Sequence, residues 1–226
     1  MKPTGKLYIV PTPIGNLSDI TFRAIEVLKS VDFILAEDTR VTSHLLKHYQ
    51  ISTPLKSYHQ NNEHSSTQYV IDELIKGKNI AQVTDAGTPG ISDPGFMLSR
   101  ACNENNIAIE CLPGAVALIP ALVKSGFPMN EFVFIGFLPQ KKGRQTAIKN
   151  IAADSRTYIL YESPHRILKM LEEFKEYIPN RMLSLSRELT KIYEETLNGT
   201  AEELLTHFTL HAPKGEFVVV IKSEEK

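Results

Sequence analysis

The chain has 226 residues, with 25 Lys and Arg against 26 Asp and Glu, for a formal charge of −1. Hydrophobic residues at 42% and charged residues at 23% are ordinary globular usage, so there is apolar material for a real core in one large domain or two of about 110 residues. Near-neutral charge argues against attachment to nucleic acid by bulk electrostatics and leaves room only for a local basic patch. The two cysteines, Cys102 and Cys111, make no CxxC and no zinc or disulfide framework, which fits a reducing compartment. Leu7–Val10 is too short for a signal-peptide core. The longest apolar stretch, Cys111–Val123, is broken by Pro113 and Pro120 and falls short of the ~18 residues of a membrane helix. A soluble cytoplasmic protein without membrane attachment is expected.

In chain order, Leu7–Val10 reads as a buried strand stopped by the Pro-Thr-Pro-Ile-Gly turn at 11–15. Asn16 to Asp19 supplies capping residues, and Ile20, Ala24, Val27 and Leu28 recur at helical spacing. Val31–Ala36 predicts a second strand and Val41–Tyr49 a second helix, followed by a short strand at Leu55–Lys56. Tyr69–Ile75 has helical periodicity, Ile80–Thr84 reads as a strand, and Phe96–Asn103 as a helix. Ile107–Leu112 predicts a strand and Ala115–Lys124 a helix. Short strands alternating with helices imply an α/β domain with a parallel sheet flanked by helices.

The second half changes character. Phe132–Phe137 and Thr157–Tyr161 read as strands around a basic helix near Arg144–Ile151, and Pro164–Tyr177 as a helix opening on proline. Met182–Arg187, Ile192–Leu197 and Glu216–Lys222 then follow as strands with few helical residues between, which suggests antiparallel pairing in a mixed sheet. Clustered Pro113, Gly114, Pro120, Gly126 and Pro128 place the boundary between domains 1–112 and 113–226. Residues 1–112 carry 10 basic against 12 acidic residues, and residues 113–226 carry 15 against 14.

The densest chemical signal is Thr84–Gly95, TDAGTPGISDPG, which follows a predicted strand and leads into a helix. Ligands in open α/β sheets bind beyond the carboxyl ends of strands. Gly87 and Gly90 let backbone approach a ligand, and Asp85 and Asp93 offer acceptors. A long turn alone also favours Gly, Pro and Asp, but its length and position favour a binding loop. Neither GxGxxG after the first strand nor GxxxxGK[ST] occurs, which disfavours dinucleotide and P-loop sites.

AEDTR at 36–40 puts two carboxylates beside an arginine at a strand end, suited to acid–base work or to a plain helix cap. YHQNNE at 58–63 contains His59 and reads as a solvated loop. Lys141, Lys142, Arg144 and Lys149 lie in an acid-free run that suits phosphates or a solvated face. Arg166 in YESPHR and Arg187 in RELTK suit phosphates or internal ion pairs. His44/His48 and His207/His211 have i, i+4 spacing without a third ligand, so no metal is expected. Cys111, in an apolar strand, reads as an inert core thiol.

The segments VPTPIGNLSDIT (10–21), AEDTR, TDAGTPGISDPG, LPGAVAL (112–118), FIGFLP (134–139), YESPHR, RELTK and KGEFVVVI (214–221) stand in one order. In that order they resemble the tetrapyrrole-methylase superfamily and, within it, the small-subunit ribosomal RNA (cytidine-2′-O)-methyltransferases. The resemblance implies two α/β domains with S-adenosylmethionine in the cleft between them, usually in a homodimer. It places the cofactor at Pro13, Gly15, Asp85, Ala86, Gly87, Ser92, Asp93, Pro113, Gly114 and Ala115 of the first domain. In the second domain it adds Phe137, Leu138, Lys214 and Gly215. Many members continue past the last strand with a small helical region, and this chain, ending at Lys226, reads as lacking it.

The implied reaction is methyl transfer to the ribose 2′-hydroxyl of a cytidine in small-subunit RNA, free or in the 30S subunit. Asp38 or Glu37 is the first candidate for the base, His59 the alternative, with Arg40 orienting the nucleotide. Lys141, Lys142, Arg144, Arg166 and Arg187 would hold phosphates. The rivals are a corrin or siroheme methylase of the same fold and a catalytically silent RNA-binding assembly factor.

Overall fold

The computed structural model describes residues 3–224, which form two compact units divided between Val116 and Ala117. The first unit runs β1 (Leu7–Ile9), α1 (Phe22–Ser30), β2 (Phe33–Ala36), α2 (Thr39–His48), β3 (Leu55–Ser57), α3 (Glu63–Ile75), β4 (Ile80–Gln82), α4 (Phe96–Glu104) and β5 (Ile109–Cys111). Its five strands are all parallel, in the order β3-β2-β4-β1-β5. Alternation along the strands sorts the core into two layers. Leu7, Ile9, Phe33, Leu35 and Ile80 face Val70, Ile71, Leu74, Leu98 and Cys102 of α3 and α4. Val10, Ile34, Ala36, Ala81 and Val83 face Ala24, Leu28 and Leu46 of α1 and α2. Strands buried on both faces are why FILA at 33–36 is an unbroken apolar run and why even Gln82 and Thr84 of IAQVT are buried.

The second unit contains α5 (Leu118–Ser125), β6 (Phe132–Phe137), α6 (Arg144–Ala153), β7 (Thr157–Glu162), α7 (Ile167–Tyr177), β8 (Leu183–Arg187), β9 (Glu195–Gly199), α8 (Ala201–Leu210) and β10 (Phe217–Ile221). Its sheet has the order β6-β7-β10-β8-β9, with β6 and β7 parallel and the other pairs antiparallel. Phe217, Val219 and Ile221 pack with Leu160, Leu185, Met170, Phe174 and Phe208. α5 covers the opposite face of that sheet.

Several local expectations change. α3 starts at Glu63, six residues before Tyr69, because the YHQNNE segment feeds the helix; His59 O accepts the N–H groups of Asn62 and Glu63. Within it Tyr58 is 1% exposed and its hydroxyl pairs with Thr67 Oγ1, so this run is not simply solvated. α5 begins at Leu118, after the turn that carries Pro113 to Val116. α7 begins at Ile167; Pro164 lies in the preceding turn, closed by Arg166 N–H donating to Ser163 O.

The strand expected at Ile192–Leu197 is β9 at Glu195–Gly199, while Ile192 and Tyr193 are exposed in the turn after β8. Pairing of Arg187 with Glu195 and of Ser186 with Thr196 across the strands holds that register. α8 was not expected. It has a capping box, with Glu203 N–H donating to Thr200 Oγ1 and the Glu203 carboxylate accepting the Thr200 N–H. Cys111 is exposed on edge strand β5, not buried, whereas Cys102 is inside and burial pushes its thiol up to about 11. Among the described residues no helix is long and apolar enough to cross a membrane.

Candidate active site at the strand ends of the first unit

The chain leaves β2 for β3 on one edge of the sheet and leaves β4 for β5 on the other. The two strands are neighbours, so their connections diverge, and a crevice opens beyond their carboxyl ends. AEDTR follows β2 and TDAGTPGISDPG follows β4; the topology brings these two distant segments together. Thr84 Oγ1 donates to Glu37 Oε2, and the Asp38 N–H donates to Asp85 Oδ1 at 3.0 Å.

Asp38 caps α2 by accepting the Arg40 N–H at 2.8 Å, and its second oxygen takes Arg40 Nη2 at 2.6 Å. Arg40 therefore holds the Asp38 carboxyl down to about 2. Asp85 shifts the other way. Partial desolvation raises its carboxyl above the ordinary value against the pull of the Asp38 N–H, and the charges of Glu37 and Asp38 add to the rise. His59 stands apart, beyond the end of edge strand β3, with Nδ1 accepting the Asn61 N–H.

The turn after β1 locks against the long loop. Thr12 and Gly87 exchange backbone hydrogen bonds at 2.9 and 3.0 Å, and Thr12 Oγ1 donates to Thr84 O. Gly87 and Gly90 have φ of +89° and +87°, where a side chain is strained, and a Cβ at Gly90 would meet open space. Ser92 also has a positive φ, at +66°. The turn after β5 closes the set: Thr88 Oγ1 donates to Ala115 O, and a Cβ on Gly114 would lie 2.5 Å from Pro11 Cβ. Pro13, Gly15, Asp85, Ala86, Gly87, Ser92, Asp93, Pro113, Gly114 and Ala115 thus all stand on three loops at one end of one sheet. A hollow of about 220 Å³ lies among the first of these loops, the start of the long loop and α2.

The second unit has a wider hollow of about 560 Å³, lined in part by Phe137, Ser163, Glu188, Lys191 and Gly215. Gly215, at φ +74°, lies so close to Glu188 that a Cβ there would collide with its carboxylate. Lys214 is exposed beside it, whereas Leu138 is 2% exposed and belongs to the core.

The basic residues divide. Lys141, Lys142 and Lys149 are exposed. Arg144 is 4% exposed, with Nε on Glu173 at 2.7 Å and Nη1 3.6 Å from the fully buried Glu162. This corrects its expected role: a guanidinium enclosed by two carboxylates supports α6 and is not presented to phosphates. Arg166 lies 2.7 Å from Glu162 and over the ring of Phe137, and Arg187 lies 2.7 Å from Glu195. Sequence reasoning also missed the burial of Thr12, Thr42 and Thr84 around the crevice, for which local pattern offers no signal.

A parallel five-stranded sheet with a glycine-kinked loop at its switch point, in a chain that also carries a mixed-sheet unit, defines a class. Residues 6–205 match the Tetrapyrrole (Corrin/Porphyrin) Methylases, and the chain belongs to that family. The fold is shared with uroporphyrin-III-C-methyltransferase from Thermus thermophilus (TM-score 0.66, 20% identity, 96% of this chain and 94% of that one). It is shared also with a diphthine synthase (TM-score 0.75, 12% identity, 96% and 90%).

Nearer in sequence are proteins named Ribosomal RNA small subunit methyltransferase I. That of Synechocystis sp. is 51% identical over 96% of this chain and 78% of its own length. That of Thermotoga maritima is 43% identical over 98% of this chain and all of its own length. The chain is a methyltransferase, and S-adenosylmethionine is its methyl donor. The first unit fits that molecule: carboxylates at 85 and 93 suit its positive charge and its ribose hydroxyls, and the open space at Gly90 admits close approach.

Proposed function

We propose that the protein 2′-O-methylates a cytidine ribose in small-subunit ribosomal RNA, in the cytoplasm and as a homodimer. The observation that carries this reading is the meeting of Glu37, Asp38 and Arg40 with the glycine-kinked loop at the ends of β2 and β4. The names of the relatives at 43–51% identity support RNA over a tetrapyrrole as substrate. A silent assembly factor would not need a loop kinked at Gly87, Gly90 and Ser92.

Asp85, Ala86, Gly87, Ser92, Asp93, Pro113, Gly114 and Ala115, with Pro13 and Gly15, would hold S-adenosylmethionine. Phe137, Lys214, Gly215 and the backbone of Leu138 would be the second unit's contribution to holding it. When bound, S-adenosylmethionine supplies an activated sulfonium methyl. The protein's part is to align the acceptor oxygen, and alignment supplies about 7–11 kcal/mol of such a barrier.

A ribose hydroxyl is a weak acid, so a nearby acceptor must take its proton as the bond forms. Glu37 is that acceptor, with Thr84 holding one of its oxygens. Asp38, bound to Arg40 and held at about 2, is a poor proton acceptor and instead fixes the guanidinium that orients the nucleotide. His59, at the sheet edge, is the second choice. Lys141 and Lys142 would meet phosphates, with smaller parts for Arg166 and Arg187, which already have carboxylate partners.

The test is to map ribose methylation on small-subunit RNA from cells with and without this protein, alongside calorimetry with S-adenosylmethionine. A lost 2′-O-methyl mark and measurable binding are expected; absence of binding would favour the silent factor. Arg40→Ala should bind the donor normally and methylate poorly; unchanged methylation would remove AEDTR from the mechanism.

A further inference from the structure

Among the described residues, the non-glycine positions with a positive φ are Gln50, Ser92, Asn106, Glu188 and Thr190. Gln50 and Asn106 follow the ends of α2 and α4, where the left-handed conformation ordinarily closes a helix. Ser92 stands in the ligand loop of the first unit. Glu188 and Thr190, at +50° and +66°, share the turn after β8, and Thr190 is β-branched, a residue type that tolerates this region poorly. Strain of this kind persists only where the surroundings over-determine it, and it collects at binding sites. Here Leu189, 6% exposed, anchors the middle of the turn in the apolar interior. The Thr190 N–H donates to the Glu194 carboxylate, which also takes the Lys124 ammonium from α5.

The strained turn bears on the chain just before β10. Glu188 Oε1 accepts from the Lys191 ammonium at 2.9 Å, and that same oxygen is the first atom a Cβ on Gly215 would strike. Arg187 Nη1 reaches Lys214 O at 3.5 Å. Glycine is the residue that meets a left-handed backbone at no steric cost, yet glutamate stands at 188. Relaxing its φ to a negative value would swing the side chain away from Gly215, so the strain is what maintains the contact. The inference rests on the reading above that Lys214 and Gly215 help to hold S-adenosylmethionine. We propose that Glu188 is a positioning residue for the methyl donor: its carboxylate, steadied by Lys191, fixes the left-handed turn of Gly215 at the edge of the hollow of about 560 Å³. Glu188 acts through Gly215 and the backbone beside it.

The experiment uses the full chain and reads two quantities: Kd for S-adenosylmethionine by calorimetry, and Tm in its absence. Glu188→Gly relieves the backbone and removes the carboxylate. Its Tm should hold or rise while Kd rises about tenfold, the opposite signs expected where stability has been given up for binding. Glu188→Gln keeps the shape of the side chain and should retain most of the affinity. Gly215→Ala should raise Kd in the wild type, and by less in a Glu188→Gly background, where the colliding carboxylate is gone. A wild-type Kd in Glu188→Gly, with binding by Gly215→Ala weakened, overturns the positioning role. So do parallel losses of Tm and affinity in Glu188→Gly that glutamine does not restore, the pattern of a merely structural residue. A wild-type Kd in Gly215→Ala overturns instead the reading beneath, that this turn holds the donor.

Discussion

Asp85 Oδ1 accepts the backbone N–H of Asp38 at 3.0 Å, so the loop after β4 is tied to the cap of α2. The two carboxylates are neighbours with opposite environments. Arg40 stabilises the charge on Asp38, while Asp85, partly desolvated and near Glu37 and Asp38, favours its proton more than a free carboxylate does. Asp85 would meet the positive charge of S-adenosylmethionine only when ionised, so donor affinity should rise as pH climbs through its elevated pKa. Calorimetry across a pH series measures this, and in Asp85→Asn the affinity should be lower and flat with pH.

Asp38 makes a stability prediction of its own. Its folded pKa, about 2, lies below the unfolded value, so its contribution is present above the ordinary carboxylate range and is lost as pH falls toward about 2. The difference in Tm between wild type and Asp38→Asn should therefore be full near neutrality and shrink with acid.

Gly114→Ala should destabilise the protein by about 1–3 kcal/mol, because a Cβ there must displace the Pro11 ring that starts the first ligand loop. Chemical denaturation gives the stability loss and calorimetry the accompanying loss of S-adenosylmethionine affinity. A wild-type value for both would mean that the two turns move apart freely.

Arg144 and its exposed neighbours should separate cleanly. Arg144→Ala removes from Glu173 the Nε that sits 2.7 Å away and leaves Glu162 with Arg166 alone, and should cost about 1–3 kcal/mol. Lys141→Ala with Lys142→Ala should leave Tm alone, weaken RNA binding, and reduce the salt slope by roughly one per lysine. The reverse pattern would restore Arg144 as a phosphate contact.

Thiol labelling distinguishes the cysteines. Cys111, exposed on β5, should react in the native state; Cys102, buried and pushed up to about 11, should react only on unfolding. Two fast-reacting thiols at neutral pH would contradict the packing of α4.

What was legible follows from how local each determinant is. The first sheet was readable because VDFILA and IAQVT are short, mostly apolar runs bounded by turn residues. The ligand loops were readable for the same reason, being glycine- and proline-rich breaks after such strands. α8 is hidden by the strand-rich pattern around it, although Thr200 and Glu203 stand at capping-box spacing. Ile192 and Tyr193 look like strand residues, but cross-strand pairing with β8 selects Glu195–Gly199 instead. The pairing of Asp38 with Asp85, the enclosure of Arg144 and the contact of Glu188 with Gly215 all depend on chain segments meeting in space. Local pattern contains none of them.

β10 occupies the middle of the second sheet, although it comes last in sequence among the described strands. Every residue of the first sheet is made before β6 begins, so that unit can acquire its helices and strands in sequence as it emerges. The second unit must wait: β7 and β8 have no direct strand partnership with each other and are joined only through β10. Folding of the chain is accordingly vectorial for one half and held for the other until a single apolar strand, FVVVI, slots between two that were made long before.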